Sequence, residues 1–211
     1  MKLNKPDLSF EKEFWKKNKI VAGVDEVGRG CLAGPVCAAS VILNQDYKIP
    51  TILNDSKKLS EKQRNEVFEL LINSNCIYSW KMIDNKRIDQ INILNATYEA
   101  MNQSIDSLSQ KPDHLLVDGN RFKGSDIPFT TIIKGDSKSL SIAAASVIAK
   151  VIRDRYMKNE LHKILPEYNF KKHKGYATKE HFIAIEKNGI SNFHRESFLV
   201  KFKTRQLSIF N

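Results

Sequence analysis

The chain has 211 residues, of which 41% are hydrophobic and 27% are charged, as is ordinary for a soluble globular protein. This length suffices for one well-packed domain and is short for two. The formal net charge is +10, and it is unevenly placed, with 20 Lys and Arg against 18 Asp and Glu in residues 1–149 but 14 against 6 in residues 150–211. So basic a C-terminal part indicates a phosphate-rich partner, since charge that serves only solubility would be spread more evenly.

Several classes of protein are excluded by what the sequence lacks. Cys31, Cys37 and Cys76 are odd in number and show no C-x-x-C spacing, so they predict neither a disulfide framework nor a zinc site. The N-terminal sequence MKLNKPDLSFEKEF has no uninterrupted apolar core, and no apolar stretch approaches the roughly 20 residues that span a bilayer. We therefore expect a cytoplasmic, reduced protein that does not bind membranes.

Hydrophobic periodicity and turn signals predict alternating strands and helices. A short helix at 8–19 makes residues 1–18 an N-terminal helical extension, followed by one domain over 19–199 and a tail over 200–211. Buried-type strands are predicted at 20–24, 36–43, 76–83, 114–118 and 129–133, with the first two antiparallel. Further helices are predicted at about 60–73, which begins with the capping box of Ser60 and Gln63, at 92–108, at 141–165 and in a short segment ending near 188.

The stretch VAGVDEVGRGCLAGPV at 21–36 is the most informative part of the chain. An apolar strand meets two carboxylates, Asp25 and Glu26, and then the sequence Gly28-Arg29-Gly30. Side chains alternate faces along a strand, so the two acids serve one site only if the strand twists or ends there. The same residues also fit a strand that ends in a solvated turn with two surface acids, and this stretch alone does not decide between the two.

The strand-end pattern recurs twice, at Asp118 in LLVDGN and at Asp136 in IIKGD. Carboxylates at the same ends of neighbouring strands can converge, and their repulsion is costly unless cations neutralise it. Asp and Glu oxygens without His or Cys favour Mg²⁺ or Mn²⁺ over zinc. Two such ions would stabilise the attacking and leaving oxygens of a phosphoryl displacement, so the acids and the basic C-terminal part together predict a nuclease or a related phosphoryl-transfer enzyme.

Two lysine-rich loops supply candidate substrate contacts. In KKHKGYA at 171–177, Lys174 lies beside Tyr176, a combination typical of phosphate contacts next to a platform for a sugar or base. Lys57 lies in the polar loop NDSKKLS at 54–60 and is a further candidate. The histidines that follow the first loop, His181 and His194, are of the kind that is more often structural than catalytic.

With these pieces assembled, the chain resembles the bacterial ribonucleases HII over about residues 21–198. The resemblance rests on seven separate blocks: VDEVGRGCLAGPV, DSKKLSEKQR, INILNAT, LLVDGN, KGDSKSLSIAAASVIAKVIRD, HKGYATKEH and HRESF. It implies an α/β ribonuclease H-like fold, with a mixed sheet of about five strands flanked by helices and a helical C-terminal part. Ala177 departs from family members that have glycine there, which affects only the expected shape of the loop.

The resemblance also implies an activity and roles for named residues. The activity is endonucleolytic cleavage of RNA in RNA-DNA hybrids, and 5′ of single ribonucleotides in duplex DNA, leaving 3′-hydroxyl and 5′-phosphate ends. It implies a two-metal site, with Mn²⁺ or Mg²⁺, on Asp25, Glu26, Asp118 and Asp136. It further implies that the backbone of Gly28, Arg29 and Gly30 meets the ribose 2′-hydroxyl, and that Tyr176 stacks on the sugar at the RNA-DNA junction.

Two other classes of function compete with this one. A protein that only binds nucleic acid could carry the acids as structural residues, but clustered negative charge at the contact surface would weaken its binding. A DNA junction resolvase on the same fold would share the acids without needing the Gly-Arg-Gly turn. We expect a monomeric ribonuclease.

The tail ends in QLSIF, which is similar to the short peptide by which bacterial replication and repair proteins dock on the sliding clamp. Gln206 would supply hydrogen bonds, while Leu207, Ile209 and Phe210 would fill an apolar groove. A final strand packed on the domain is the alternative, and so short a motif also occurs by chance.

Overall fold

The fold is built on one mixed sheet, as the computed structural model shows for residues 5–46, 50 and 52–200. Within these residues the sheet has five strands in the order β3-β2-β1-β4-β5. β1 pairs antiparallel with β2 and parallel with β4; β2 and β3 are antiparallel, and β4 and β5 parallel. The strands are β1 (Val21–Val27), β2 (Val36–Ile42), β3 (Ile77–Ile83), β4 (His114–Asp118) and β5 (Phe129–Ile132). The predicted fold class is thereby confirmed.

Helices cover both faces of this sheet and form the C-terminal part. Seven α-helices are described: α1 (Ser9–Trp15), α2 (Glu61–Ile72), α3 (Asn85–Asp106), α4 (Leu140–Arg155), α5 (His162–Ile164), α6 (Phe170–His173) and α7 (Lys179–Asn188). Helix α3 packs on one face of the sheet, while α4, with α2 beside it, packs on the other. The α4 face is lined by the fully buried Ala143, Ala144 and Ala145, whose small side chains let the helix approach the strands.

Three predicted boundaries change in the structure. β1 continues through Asp25 and Glu26 to Val27, because its pairing with β2 extends to Val27, whereas its parallel pairing with β4 ends at Val24. α3 begins seven residues earlier than predicted, at Asn85, and is broken at Asn92, whose φ of 66° is not helical. The predicted helix over 141–165 is α4 followed by a π-helical turn (Tyr156–Leu161) and α5. The capping box at Ser60 and Gln63 is confirmed.

Two further predictions concern membrane-spanning helices and the C-terminal tail. Among the described residues, no helix combines the length and the apolar character needed to cross a bilayer. The proposed docking residues at 206–210 lie outside the described part of the chain.

The N-terminal helix α1 is tied to the start of α4 by a buried carboxylate. Glu11 on α1 is fully buried, and its Oε1 accepts hydrogen bonds from the Ser139 hydroxyl (2.5 Å), the Ser141 hydroxyl (2.7 Å) and the Ser141 N–H (2.9 Å). These donors belong to the first turn of α4, where a helix end favours negative charge. The Asp7 N–H also donates to the Lys138 carbonyl, two residues after Asp136. The N-terminal segment therefore supports the loop that carries Asp136.

Replacing Glu11 by alanine should lower the free energy of unfolding by about 3 kcal/mol, because the serine hydroxyls and the N–H that it satisfies would be left buried without a partner. Urea unfolding would measure the loss. Glu13→Ala is the matched control, since Glu13 lies on the same helix but is exposed. Equal midpoints for the two variants would show that the buried carboxylate contributes nothing.

Candidate active site

Two of the predicted acids share strand β1 and face opposite sides of the sheet. Asp25 is 4% exposed and lies beside Ser146 of α4. Glu26 faces the α3 side, where it lines a cleft of about 330 Å³ together with Asp118 and Arg121. Asp118 is the last residue of β4, and its charge acts on both β1 acids. The side chains of Asp25 and Glu26 therefore alternate between the two faces of the sheet, as predicted for β1. Asp118, at the end of the neighbouring strand β4, interacts with both of them.

The fourth acid, Asp136, follows β5 in a short 3₁₀ turn (Gly135–Ser137) and is 4% exposed. The N–H of Gly135 in this turn donates to Asp118 Oδ1 at 2.6 Å, which links the ends of β4 and β5. The Lys57 ammonium lies 3.3 Å from Asp136 Oδ2. Lys57, predicted as a substrate contact, is thus placed at the acid cluster.

Mutual repulsion and burial act together on these carboxylates. Burial raises the pKa of Asp25 well above its usual range, and the charges of Glu26 and Asp118 raise it further. Burial also raises the pKa of Glu26, against the nearby Arg29 charge, which lowers it. The pKa of Asp118 is raised by burial and by Asp136, while the bond from Gly135 opposes the shift. Several negative charges therefore share a site that does not solvate them well.

A divalent cation fits this donor set chemically. Four carboxylates offer only oxygen atoms, the ligands that Mg²⁺ and Mn²⁺ prefer, and their repulsion is what a cation would relieve. Within residues 5–46, 50 and 52–200, no group of three or more His, Cys, Asp or Glu is already gathered to hold a metal ion. Lys57 on Asp136 and Arg29 on Glu26, at 3.5 Å, neutralise part of the charge in this arrangement.

The Gly28-Arg29-Gly30 turn lies directly after β1 and contains two different kinds of glycine. Gly28 is buried with a φ of +93°, and a Cβ there would lie 2.2 Å from Arg153 Nε. Gly30 is exposed, has no positive φ, and a Cβ there would meet nothing within 4 Å. Packing inside the protein therefore requires glycine at position 28 only, and the backbone at Gly30 is open to an approaching ligand.

Two buried arginines, Arg153 and Arg195, which the sequence analysis did not single out, donate hydrogen bonds to the turn and to the segment that follows it. Arg153 on α4 donates to the carbonyls of Pro35 (2.8 Å), Ala33 (3.2 Å) and Lys174 (3.0 Å). The adjacent Asp154 pairs with Lys150. The spacing of Ala145, Ala149 and Arg153 at intervals of four residues is the signal that could have placed Arg153 on the buried face.

Tyr176 is joined to the segment that follows the glycine turn. It forms an isolated β-bridge with Cys31, and the neighbouring Leu32 N–H donates to the Gly175 carbonyl at 2.8 Å. The Lys150 ammonium lies 5.2 Å from the centre of the Tyr176 ring. Burial raises the pKa of the phenol to about 12, so it stays protonated at neutral pH. The structure thus brings together the glycine turn and the tyrosine that the sequence predicted.

Lys174 has a different environment from the one predicted for an exposed phosphate contact. It is only 9% exposed, and its ammonium donates to the Lys171 carbonyl within its own loop. Its carbonyl accepts the bond from Arg153 described above. The structure therefore gives Lys174 contacts that shape the loop, and its role toward substrate stays a prediction.

Three buried histidines lie together next to the backbone of Tyr176, and two of them, His181 and His194, are joined by a hydrogen bond. The Ser191 N–H donates to His194 Nδ1, so the His194 proton is on Nε2, which lies 3.1 Å from His181 Nε2. His181 in turn donates from Nδ1 to the Tyr176 carbonyl at 2.9 Å. The His173 ring stacks on His181 at 4.2 Å. Burial lowers the pKa of His181 and of His194 to about 4, so both imidazoles are neutral at pH 7.

Acid should weaken the fold through these histidines. The unfolded chain binds protons on histidine near pH 6.5, whereas folded His181 and His194 resist protonation down to about pH 4. The unfolded state therefore binds more protons as the pH falls, and stability is lost between about pH 6.5 and pH 4. Each histidine should contribute a loss of about 2 kcal/mol between pH 7 and pH 5.

Urea unfolding at pH 7, 6 and 5 would measure this loss in the parent protein and in His181→Asn, which removes one of the two groups. The variant should lose about 2 kcal/mol less than the parent over this range. Asn188→Ala, an exposed position on the same helix α7 without a titratable side chain, is the control and should keep the slope of the parent. Identical slopes for the parent and His181→Asn would contradict the prediction.

Comparison with known proteins decides the family. The model of the family Ribonuclease HII matches residues 22–201, which is most of the chain. The chain belongs to the ribonuclease HII family. It is accordingly a metal-dependent endoribonuclease that acts on RNA-DNA hybrids, which removes the two competing classes, the non-catalytic binding protein and the junction resolvase.

Individual relatives agree with this assignment. A ribonuclease HII of Clostridioides difficile is 52% identical over 191 residues, covering 90% of this chain and 74% of the relative. One of Bacteroides thetaiotaomicron is 51% identical over 186 residues, covering 88% and 92%. Among solved structures, the ribonuclease H2 of Pyrococcus horikoshii superposes with a TM-score of 0.69 at 25% identity, covering 88% of this chain and 98% of that one.

A further solved structure is a complex. It is described as the PCNA:RNase HII complex of Archaeoglobus fulgidus, and it matches with a TM-score of 0.67 at 26% identity, covering 83% of this chain and 93% of that one. The fold, the recognition of the family and the class of enzyme predicted from the sequence are therefore confirmed.

Proposed function

We propose that this ribonuclease cleaves on the 5′ side of ribonucleotides, both in RNA-DNA hybrids and where a single ribonucleotide is embedded in duplex DNA. The products would carry 3′-hydroxyl and 5′-phosphate ends, and the cellular role would be removal of ribonucleotides from DNA by a monomeric cytoplasmic protein. One observation carries the proposal: a cluster of mutually repelling carboxylates lies beside a turn whose glycine backbone is open to a ligand.

The carboxylates Asp25, Glu26, Asp118 and Asp136 would hold two divalent cations, Mg²⁺ or Mn²⁺. When bound, such ions neutralise the charge of the phosphodiester and supply an activated water for in-line hydrolysis. The chain itself fixes the acids: Gly135 holds Asp118 through its N–H, and Ser146 lies against Asp25. Lys57, whose side chain is 81% exposed, is free to move from Asp136 to a phosphate of the substrate.

Recognition of RNA would rest on the backbone of Gly28, Arg29 and Gly30, with Tyr176 against the sugar at the junction. The support is positional, since Cys31, the residue directly after Gly30, forms a β-bridge with Tyr176. A hydroxyl that both donates and accepts hydrogen bonds is suited to contact with peptide groups, and it is the group that distinguishes RNA from DNA.

The proposal is tested with two labelled duplexes, one of DNA only and one with a single embedded ribonucleotide, each with Mg²⁺, with Mn²⁺ and with a chelator. We expect metal-dependent cutting of the second duplex alone, 5′ of the ribonucleotide. Cutting of both duplexes would refute recognition of the 2′-hydroxyl, and cutting in the chelator would refute the metal site.

We also propose that the tail docks on the sliding clamp through Gln206, Leu207, Ile209 and Phe210. The observation that favours this is the structural match to a protein described in complex with PCNA. Binding of the purified bacterial clamp should be lost on deletion of residues 206–211 and kept in Ser208→Ala, which changes the one position of the motif without a proposed contact. Unchanged binding by the deletion variant would end this proposal.

A further inference from the structure

Arg195 lies behind the glycine turn on the side away from solvent. It is fully buried, although it carries a guanidinium, and burial lowers its pKa to about 10, which still leaves it charged at neutral pH. Its hydrogen bonds reach two carbonyls of the segment after β1. Nε and Nη2 donate to Gly34 at 3.0 and 2.9 Å, and Nη1 donates to the carbonyl of Arg29 at 2.8 Å.

The bond to Arg29 fixes the direction of one peptide group. The peptide between Arg29 and Gly30 is planar and trans, so its C=O and N–H point in opposite directions. Because Arg195 holds the C=O toward the interior, the N–H of Gly30 points away from it, toward the exposed side of the turn. A donor that polarises the C=O of an amide also strengthens the N–H of the same amide as a donor.

We propose that Arg195 is a positioning residue for recognition of the ribose: it turns the Gly30 N–H outward and strengthens it for a hydrogen bond to the 2′-hydroxyl. This inference rests on the proposed recognition of RNA by the Gly28-Arg29-Gly30 backbone. Arg195 does not touch the substrate. Arg195 also holds the segment that follows the turn, because its side chain donates to the Gly34 carbonyl and its backbone N–H donates to the Leu32 carbonyl at 2.8 Å. Gly30 itself stays exposed.

The test compares affinities in the full chain carrying Asp118→Asn, so that bound duplex is not cut. Dissociation constants are measured with Mg²⁺ for the duplex containing one ribonucleotide and for the DNA duplex of the same sequence. Arg195→Lys keeps the charge but cannot reach both carbonyls with one ammonium. Arg155→Lys is the matched control, because Arg155 is part-exposed on α4 and bonds Glu69 and Asn65.

We expect Arg195→Lys to weaken binding of the ribonucleotide duplex about tenfold, the effect of one good hydrogen bond, and to leave binding of the DNA duplex unchanged. An equal loss on both duplexes, or no loss, would overturn the inference. If the parent Asp118→Asn protein does not prefer the ribonucleotide duplex, the proposed function itself has failed, and this result is distinct from the other two.

A second measurement needs no change at Arg195. In the Asp118→Asn protein, the NMR signal of the Gly30 amide should exchange rapidly with solvent in the free state. It should become protected when the ribonucleotide duplex binds, and less so with the DNA duplex. Protection of the Gly30 amide in the free protein would show that its N–H points inward and would overturn the inference, even if Arg195→Lys fails to fold.

Discussion

Replacing Asp118 by asparagine should reduce cleavage of the ribonucleotide duplex about a thousandfold or more, because it removes a charged oxygen from the centre of the acid cluster. Asp118 is the acid whose charge acts on both Asp25 and Glu26, and it shares a cleft with the latter. Its loss would therefore weaken cation binding on both sides of β1. Single-turnover cleavage with saturating enzyme would measure the change in the chemical step.

The same substitution should leave the fold intact or slightly more stable. Asparagine keeps an Oδ1 that can accept the bond from the Gly135 N–H, so the link between the ends of β4 and β5 is preserved. The pKa of Asp118 is raised in the folded protein, which means that its ionised form is disfavoured there and costs stability at pH 7. A neutral side chain removes this cost.

Thermal unfolding with and without Mg²⁺ separates the two effects. A cation that binds only the folded state raises the melting temperature, so added Mg²⁺ should stabilise the parent but not Asp118→Asn. Asp126→Asn, an exposed acid changed in the same way, is the control and should behave as the parent does. Normal cleavage by Asp118→Asn would remove Asp118 from the site, and poor cleavage by an unstable variant would indicate a structural role.

The acid cluster could be predicted from the sequence because its members follow a simple rule. An apolar run that ends in Asp118 and another that is followed shortly by Asp136 mark strand ends, and parallel pairing then places such ends together. The C-terminal end of β1, at Val27, could not be predicted in this way. Whether the strand stops at Asp25 depends on its partner β2, which continues to pair, and such pairing depends on residues distant in the sequence.

Helix α3 shows a second kind of limit. Its first turns were missed because Asn92 interrupts the apolar pattern: its side chain accepts bonds from the N–H groups of Leu94 and Asn95 and so begins a new helix. Asp84, which caps the true start by accepting from the Arg87 N–H, has the residue type of a helix cap but precedes a polar segment without clear periodicity.

The burial of Arg153 and Arg195 could not be predicted from the composition of the chain. Both are cationic side chains, and such side chains are usually exposed, so they would be expected at the surface. Only the fold shows that the segment after β1 leaves several carbonyls without strand partners in the interior. Long side chains with several donors satisfy them.

The two glycines of the turn should fail in different ways when each is replaced by alanine. Gly28→Ala should lower the free energy of unfolding by about 3 kcal/mol, because its φ of +93° is unfavourable for alanine and the new Cβ would collide with Arg153. Gly30→Ala should change stability by less than about 0.5 kcal/mol, because its Cβ would meet open space. Urea unfolding would measure both.

Cleavage should nevertheless fall about a hundredfold in Gly30→Ala, since a methyl group on the open side of the turn would displace the ribose from its hydrogen bonds. The variant should still bind DNA-only duplex as the parent does, because phosphate contacts elsewhere are untouched. A stable, active Gly30→Ala would mean that no ligand approaches this backbone. A stable, inactive one would show that the second glycine of the motif is needed for the substrate, whereas the first is needed for Arg153.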